Sequence, residues 1–468
     1  MSNQASSLEV ARDLPARSHK GGWLRWGCLV VLALVLLAAA VFLFAVFLLR
    51  EGYRREIELA RRAGEADAKA LVAVAPIPDA ENAAPLYLQA FALLPVQQPG
   101  VVTDGLPAFA LDQTWAVELE KEPAAALAAR EWVEQYRKAL NLLHEGAKRP
   151  RCRFEKTLRP VPPAPFDGQA QPRMAARLMH VEARLLLLDG RRTEALRAID
   201  DLYHFCDAAR DDQYVDSCMV SLAVRGVAAG ALRRALQEPL DDAESLRSLA
   251  GTLDATRDAT QYARAQRAGW TQYGRASTEE VKVSWRAFGV TGKHWTPRQV
   301  WAYGLLDWVY NEDMTHYLSQ KRRLAEFAGL PFWEAQDAEA KIEREAEALP
   351  FRDVYARRWR ISALIQHRAW ATDQARHDGA RLAVALARCR LSRGACPAKL
   401  DDLVPEFLPV LPLDPFTGKP FLYRTAGDSA RVYSLAQVGV DLGGGTTGAD
   451  DMGNILFPLG DQSPFEGK

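Results

Sequence analysis

One uninterrupted apolar run near the amino terminus dominates the hydrophobic pattern of the chain. Residues 27–49 read GCLVVLALVLLAAAVFLFAVFLL and contain no charged side chain. As a helix the run is roughly 34 Å long, enough for a hydrocarbon core of about 30 Å. Trp23, Trp26 and Arg50 lie where interfacial side chains are expected. A core helix would carry a polar stripe and a signal peptide is shorter, so we predict a retained transmembrane anchor over residues 21–50.

The rest of the chain follows a helical pattern. Residues 1–20 are polar and unpatterned, which predicts a disordered tail, and Glu51–Leu71 continues the anchor as a charged stalk. Apolar residues at three- and four-residue spacing then predict a helical body over residues 51–377. Its further predicted helices are Asp79–Ala90 with Asp79 as N-cap, Glu122–Glu145, Met174–Leu188, Thr193–Ala208, Tyr214–Leu236, Asp241–Asp254, Thr296–Gly329, Pro331–Ala348 and Asp353–Arg393.

The connections between these helices are short. Asp189-Gly190-Arg191-Arg192 reads as a tight turn between two helices, and the phrase around it is similar to half of a tetratricopeptide repeat. No self-similar period of about 34 residues recurs, so a repeat solenoid is not supported. We therefore expect a mainly α fold built from antiparallel helical hairpins.

Aromatic residues are frequent in the helices predicted between residues 296 and 348. They are Trp301, Tyr303, Trp308, Tyr310, Tyr317, Phe327, Phe332 and Trp333. These rings would suit a stacking surface for sugars or bases, or the interior of a helical core. No basic or Gly-rich context accompanies them, which favours packing.

The balance of acidic and basic residues limits the classes of molecule that the chain is expected to bind. Lys plus Arg and Asp plus Glu each number 59, so the formal net charge is zero. A nucleic-acid-binding protein needs an excess of basic residues to neutralise phosphates. We therefore expect no nucleic-acid partner, whereas the apolar run implies a lipid bilayer.

The pattern of polar and apolar residues changes after Pro397. A short helix over Ala398–Leu403, several prolines and brief β-type runs such as Phe421–Tyr423 and Arg431–Tyr433 replace the long helical pattern. This change predicts a small α+β unit over residues 378–468.

Three short motifs in this unit, Gly394–Pro397, Leu413–Pro420 and Val432–Ser434, follow one another in order. They resemble the head of the major pseudopilin of type II secretion, in which a helix ending in G-x-Y-P precedes P-x-x-P-x-D-P-W/F-G-x-P and a sheet carrying Y-S-x-G. The resemblance implies a pseudopilin-like α+β fold for the unit.

The chain departs from that family outside the head. A pseudopilin begins with a cleaved leader and a membrane helix that carries Glu near its start and runs directly into the head. Here 330 positions separate Leu49 from Gly379, and the apolar run has no Glu. The resemblance therefore does not imply processing or polymerisation as a pilin subunit. The chain looks instead like membrane-anchored, otherwise helical bacterial proteins of unassigned role that end in such a head.

The pseudopilin resemblance also implies a calcium loop near the C-terminus. Asp441, Asp450 and Asp451 lie in and beside a Gly-rich stretch, and Ca²⁺ prefers carboxylate and carbonyl oxygens. Ala436 and Gln437 interrupt the spacing of the family, and a solvated acidic loop is the alternative. The sequence DLGGGT is also similar to the phosphate loop of actin-like ATPases, but the partner motifs of those enzymes are absent from the chain.

The positions of the cysteines bear on the cellular compartment in which the C-terminal body lies. Cys389 and Cys396 replace aromatic residues of pseudopilin-like heads, which suggests a disulfide if the helix ends near Gly394. That bond would place the C-terminal body outside the cytoplasm, with the anchor in the inner membrane. Charges flanking the anchor do not settle its orientation. Cys206 and Cys218 could bridge two neighbouring helices, and free buried thiols are the alternative for both pairs.

No familiar catalytic motif occurs in the sequence: HExxH, CxxC, GxSxG and the Walker loop are all absent. Two hypotheses therefore stand. The first is a non-enzymatic, membrane-anchored envelope protein that docks a protein partner in a secretion- or pilus-like assembly. The second is a membrane-tethered enzyme, for example a hydrolase, whose site is assembled from distant residues. A polar cluster lining a pocket would favour the enzyme, and an exposed apolar groove would favour the scaffold.

Overall fold

Helices form most of the described chain, as the sequence predicts. The computed structural model describes residues 20–72, 77–95, 119, 121–154, 170–207, 215–255, 260–271, 307–350, 353–436, 441 and 454–465. Within these ranges it contains twelve α-helices and one small antiparallel sheet. The predicted tail lies outside the described residues except for Lys20.

The helices are numbered here in chain order. The first six are α1 (Lys20–Val72), α2 (Ala84–Leu93), α3 (Pro123–Gln135), α4 (Arg137–Ala147), α5 (Ala170–Leu188) and α6 (Arg192–Cys206). The other six are α7 (Val215–Ala235), α8 (Ala243–Ala255), α9 (Gln261–Thr271), α10 (Asp307–Phe327), α11 (Phe332–Ala348) and α12 (Val354–Arg393). The strands are β1 (Leu422–Ala426), β2 (Ser429–Ser434) and β3 (Ile455–Leu459).

Helix α1 joins the apolar run and the predicted stalk without a break. It is long and apolar enough near the N-terminus to span a membrane, and none of its most apolar window is buried against the protein. Further along the same helix, Tyr53, Glu56 and Ala60 are buried against the body. One helix therefore has two environments, because only its second part has a protein surface to pack against.

Helices α5 and α6 form the antiparallel hairpin that the sequence predicts. Gly190 adopts φ +71°, the left-handed conformation that glycine tolerates best. Its N–H donates to the carbonyl of Leu187, and the N–H of Arg191 donates to the carbonyl of Leu186. These bonds satisfy carbonyl groups at the end of α5 and turn the chain back on itself.

A single hydrophobic core runs through the hairpins and the C-terminal unit. Leu178, Ile199 and Leu232 of α5, α6 and α7 belong to the same buried cluster as Leu386 of α12 and Phe457 of β3. A contiguous cluster of this kind is the usual mark of one core. The sheet is therefore packed directly onto the helical body.

Helix α12 carries the chain from the body into the C-terminal unit. It ends at Gly394, whose φ of +77° and N–H bond to the carbonyl of Arg390 close the helix, as the sequence predicts. The predicted boundary between residues 377 and 378 falls inside this unbroken helix. That boundary and the other predicted domain limits stay predictions.

The sheet has the order β1-β2-β3, and both pairs are antiparallel. Leu422 pairs with Tyr433, and Ser434 pairs with Ile455. All six residues of the central strand β2 are buried, because α12 packs on the sheet. Gly379 of α12 lies so close to the ring of Phe457 that a Cβ there would meet a ring carbon at 2.6 Å.

Two predicted helices differ from the structure. The predicted helix Glu122–Glu145 is interrupted at Tyr136, whose ψ of 21° separates α3 from α4. The break lets each half bury its own apolar face, with Trp132 in α3 and Leu140 and Leu143 in α4.

Asp79 was predicted to cap the following helix, and this is wrong. Helix α2 begins at Ala84, and the Asn82 side chain accepts the N–H groups of Ala84 and Arg153. The distant contact with Arg153 explains why this start is not visible in the local pattern.

The remaining predicted helices and strands are present wherever the structure describes them, whereas residues 296–306, with Trp301 and Tyr303, lie outside the described residues. The short helix predicted over Ala398–Leu403 is a 3-10 turn at Leu400–Leu403. Tyr310, Tyr317 and Phe332 are buried, as the packing interpretation of the aromatic residues expects.

Candidate functional site

The structure contains a cleft of about 530 Å³ where α3, α4, α5 and α6 meet. Most of its lining side chains are charged, and four are apolar. The lining residues are Arg130, Val133, Glu134, Arg137, His144, Glu182, Leu185, Leu186, Asp189, Arg191, Glu194, Arg197, Ala198 and Asp201. A volume above about 300 Å³ is in the range of small-molecule and peptide sites.

His144 of α4 lies at the base of this cleft between two carboxylates. Its Nδ1 is 2.6 Å from Oδ2 of Asp201 on α6, and its Nε2 is 2.6 Å from Oε2 of Glu182 on α5. A ring nitrogen must carry a proton to donate to a carboxylate, so both bonds form together only in the imidazolium. The geometry therefore favours a positively charged His144 that links three helices.

The electrostatics of His144 agree with this geometry. Burial disfavours the charged ring, since its side chain is only 21% exposed. The hydrogen bonds and charges of Asp201 and Glu182 outweigh that cost and raise the pKa of His144 to about 9. At neutral pH the group is accordingly a cation.

The other charges of the cleft are also arranged in pairs. Arg137 donates to Glu182 at 3.3 Å, on the side away from His144. Arg130 binds both carboxylate oxygens of Asp189, at 3.0 and 2.5 Å, and this pairing lowers the pKa of Asp189. Such two-pronged pairs are the stronger class of charged hydrogen bond.

Arg197 also lines the cleft and, like Arg130 and Arg191, is exposed to solvent, where a partner can reach it. It lies on α6, one turn before Asp201. The described lining thus combines paired polar groups with exposed basic side chains.

The cleft has limited means for catalysis. Its lining, as far as the chain is described, includes no Ser, Thr, Cys, Lys or Tyr that could act as a nucleophile. Both N–H groups of His144 are already donated, which leaves the ring no free nitrogen to accept a proton. Only the carboxylates remain for acid–base work.

A metal ion does not fit the histidine cluster. Glu182 and Asp201 contact opposite nitrogens of the ring, so these two carboxylates and the imidazole cannot converge on one ion. No group of three or more His, Cys, Asp or Glu side chains in the described ranges is arranged to hold a metal.

A second polar region lies deep in the body beside α12. Arg225 of α7 donates through Nε to both carboxylate oxygens of Asp373 at 3.1 and 2.9 Å, and through Nη2 to Gln261 at 3.4 Å. Arg225 and Asp373 are each less than a tenth exposed. Burial of both partners assigns this pair to the packing of α7, α9 and α12.

His367 of α12 is enclosed in the same region. Its Nδ1 is hydrogen-bonded to Glu339 of α11, and its ring stacks on Tyr262 at 5.1 Å and meets Phe332 edge-on at 5.2 Å. The ring is 1% exposed. This histidine therefore joins α9, α11 and α12 rather than facing solvent.

The predicted calcium residues are only partly within the described chain. Asp441 accepts a hydrogen bond from Nη2 of Arg424 at 2.8 Å and another from the hydroxyl of Tyr433 at 3.0 Å. Its carboxylate is thus used by protein donors. Asp450 and Asp451 lie outside the described residues. Calcium binding at these positions stays a prediction.

Asp414 gives the Leu413–Pro420 motif a structural role. Its carboxylate accepts the N–H of Phe416 at 2.9 Å and the N–H of Leu435 at 3.1 Å. The backbone N–H of Gly418, which adopts φ +67°, donates to the carbonyl of Asp414 at 2.8 Å. The motif therefore folds a loop and fastens it to the end of β2.

All six cysteines carry free thiols in the structure. Cys389 is buried near the end of α12, and Cys396 is half-buried with its Sγ 3.6 Å from the carbonyl of Asp428. Burial raises the pKa of both thiols. Disulfides between Cys389 and Cys396 and between Cys206 and Cys218 stay predictions.

The histidine cluster was not foreseen from the sequence. Glu182 and Asp201 are 38 and 57 residues from His144, so no local motif connects them. One local signal exists: His144 follows Leu140 and Leu143 on the apolar face of α4. A histidine on such a face must find polar partners, and the sequence does not say which.

Comparison with known proteins adds no relative to this description. The chain has no significant match among protein-family models, curated proteins or solved structures. The pseudopilin resemblance of the C-terminal unit therefore stays a prediction.

Proposed function

We propose that this chain is a non-enzymatic, membrane-anchored envelope protein that docks a protein partner through its helical body. One observation carries the proposal: α1 exposes most of its apolar run and then buries Tyr53, Glu56 and Ala60 in the body. An exposed apolar surface of this size is unfavourable in water and is satisfied by lipid. In this proposal the body is held at the inner membrane, on the extracytoplasmic side that the cysteine positions in the sequence suggest.

The connection between anchor and body supports a platform rather than a loosely tethered domain. Glu56 of α1 forms an ion pair with Arg322 of α10 at 3.2 Å, and the Tyr53 ring meets Tyr310 edge-on at 5.7 Å. A stalk packed in this way fixes the orientation of the body relative to the bilayer. A fixed orientation suits a protein that presents a surface to a partner.

The cleft between α3 and α6 is the docking surface that the geometry favours. Its charges are balanced and mostly paired, and it offers Arg197 at its edge. Such a surface fits a partner segment that carries acidic side chains able to reach Arg197 and then compete for the surrounding pairs.

A pull-down of the detergent-solubilised full chain tests the docking proposal. We expect a captured partner to be lost with Arg197→Glu and kept with Arg247→Glu, which reverses an exposed charge on α8 outside the cleft lining. The same capture with and without calcium tests the predicted loop at Asp441. Equal capture by the wild type and both variants would exclude the cleft as the docking surface.

A hydrolase-type enzyme is the second candidate function, favoured by the polar cluster at His144 in a cleft. In that case Glu182 and Asp201 would be the acid–base groups. Turnover of ester, glycoside, phosphate or peptide substrates by the wild type, lost with Glu182→Gln and retained with Glu134→Gln, would support this candidate. Glu134 is a suitable control because it lines the same cleft and is 73% exposed.

A further inference from the structure

The contact between α1 and α10 begins inside the apolar run. On α1, the positions that face the body recur every three or four residues, as expected for one stripe of a helix. In order along α1 they are Phe42, Val46, Leu49, Tyr53, Glu56 and Ala60. Val46 and Leu49 are partly shielded while their immediate neighbours are exposed, so the stripe starts well before the end of the run.

Helix α10 runs in the same direction as α1 along this stripe. The ring of Trp308, in the first turn of α10, meets Phe42 edge-on with centroids 6.2 Å apart. Further along, Thr315 lies against Gly52, and Arg322 pairs with Glu56. The N-terminal end of α10 is therefore nearest to the apolar run, and the helix leads away from it.

The depth of this contact follows from helix geometry. Phe42 precedes Leu49, the last residue of the run, by seven positions, or roughly 10 Å along the axis. The Trp308 ring lies at that level. Apolar side chains at a membrane interface reach about 5–10 Å into the boundary between headgroups and acyl chains, which is the same range.

We propose that the N-terminal end of α10, led by Trp308, is embedded in the interfacial region of the bilayer leaflet next to the body. This inference rests on the proposed membrane anchor and adds a second point of contact with lipid. Tryptophan suits such a position because its ring is apolar and carries one polar N–H group, as is typical of side chains at membrane interfaces.

The charges that follow the apolar run are consistent with this placement. Arg50, Arg54 and Arg55 are exposed on α1 directly after the run, on faces that α10 does not cover. Long basic side chains at this level reach phosphate groups while their stems stay in apolar surroundings. Arginine on α1 and tryptophan on α10 would thus contact the same leaflet.

Photo-crosslinking in the full-length chain tests the inference. The photoreactive residue p-benzoylphenylalanine replaces Phe42, Trp308 or Leu127 in separate variants, reconstituted in nanodiscs of phosphatidylethanolamine and phosphatidylglycerol. Leu127 is a matched control because it is a large apolar residue on α3 that is 59% exposed in the body. After illumination, intact mass spectrometry counts chains that have gained one phospholipid.

We expect phospholipid adducts at positions 42 and 308 and none above background at position 127. Adducts at 42 with only background at 308 would overturn the inference and leave the anchor intact. Background at all three positions would contradict the anchor itself.

A second measurement tests the inference if a crosslinking variant fails to fold. In nanodiscs of brominated lipid, Trp308→Phe should lower the quenchable emission by roughly a tenth of the total, since the chain has 12 tryptophans. An unchanged quenchable fraction in a folded Trp308→Phe protein would also overturn the inference.

Discussion

Helices α1 and α12, the two longest in the described chain, each depart from the usual relation between polarity and burial. In α1, Leu36 and Phe44 are more than half exposed, although they are among the most apolar residues of the protein. In α12, Asp373 and His377 are less than a tenth exposed, although both are polar. The contrast shows that the surroundings of a helix, as well as its composition, decide which residues are covered.

The reasons for the two departures are different. The apolar surface of α1 needs no protein partner if lipid surrounds it, because lipid chains are as apolar as leucine. Buried polar groups of α12 are tolerated where a partner compensates for lost water, as Arg225 of α7 does for Asp373. Four predictions test this comparison, from the largest expected effect to the smallest.

Charges placed in the apolar run should have the largest effect. The double substitution Leu36→Lys and Ala40→Lys adds about 5–7 kcal/mol to the free energy of membrane insertion, since each central lysine costs about 2.5–3.5 kcal/mol. We expect the protein to leave the carbonate-resistant membrane fraction. The exchanged pair Leu36→Ala and Ala40→Leu has the same composition and should stay in that fraction. Retention of the double lysine variant would mean that the run does not span a bilayer.

Removal of a buried charge from α12 should have the second largest effect. Asp373→Ala leaves Arg225 buried without its main partner, and we expect the free energy of unfolding to fall by about 3–5 kcal/mol. Asp254→Ala is the control, because Asp254 pairs with Arg381 but is 46% exposed and should cost less than about 1 kcal/mol. Urea unfolding of the solubilised chain measures both. Equal effects would show that burial does not distinguish the two pairs.

The third prediction concerns the cluster of His144, Glu182 and Asp201, which is charged and only partly buried. The pKa of His144 is about 9 in the folded chain, compared with an ordinary value of 6.5, so the protonated histidine stabilises the fold below pH 6.5. This contribution should disappear as the pH rises to 9, a loss of up to about 3 kcal/mol at 1.36 kcal/mol per pKa unit. The charged groups that face His144 are Asp201 and Glu182, and Glu182 also accepts a hydrogen bond from Arg137. Arg197 lines the edge of the same cleft.

Urea unfolding at pH 6.5 and pH 9 measures this loss. His144→Gln should be less stable at pH 6.5 and should lack most of the pH dependence. His316, whose pKa is raised by its hydrogen bond to Asp353, contributes to the slope that remains, as do the buried thiols of Cys206 and Cys389, whose pKa values are raised by burial. An equal slope in the wild type and His144→Gln would contradict the assignment.

The smallest effect concerns the contact of α12 with the sheet. Gly379→Ala brings a Cβ within 2.6 Å of the Phe457 ring, and the resulting overpacking should cost about 1–3 kcal/mol. Gly251→Ala on α8 is the control, since no atom lies within 4 Å of the position that its methyl group would occupy and alanine favours helix. Thermal unfolding should show a lower midpoint for the first variant only. A neutral Gly379→Ala would mean that α12 and β3 are less tightly packed than the structure shows.

Local features of the sequence determined the elements. The apolar run predicts the first part of α1, and Gly190 and Gly394 mark helix ends that the structure confirms. These features could be predicted because helix periodicity, length and left-handed glycine depend on neighbouring residues alone. The break at Tyr136 and the start of α2 were missed, because packing and the distant Arg153 decide them.

Tertiary structure alone decided the candidate site and the contact at the anchor. His144, Glu182 and Asp201 come from three helices, and Phe42 and Trp308 are more than 260 positions apart in the chain. Pairing between distant residues depends on how the helices pack, and no local pattern of polar and apolar positions specifies that packing. The sequence by itself therefore determined where this chain is helical and where it suits a membrane. Which charges meet, and which part of the body lies beside the apolar run, only the folded arrangement could decide.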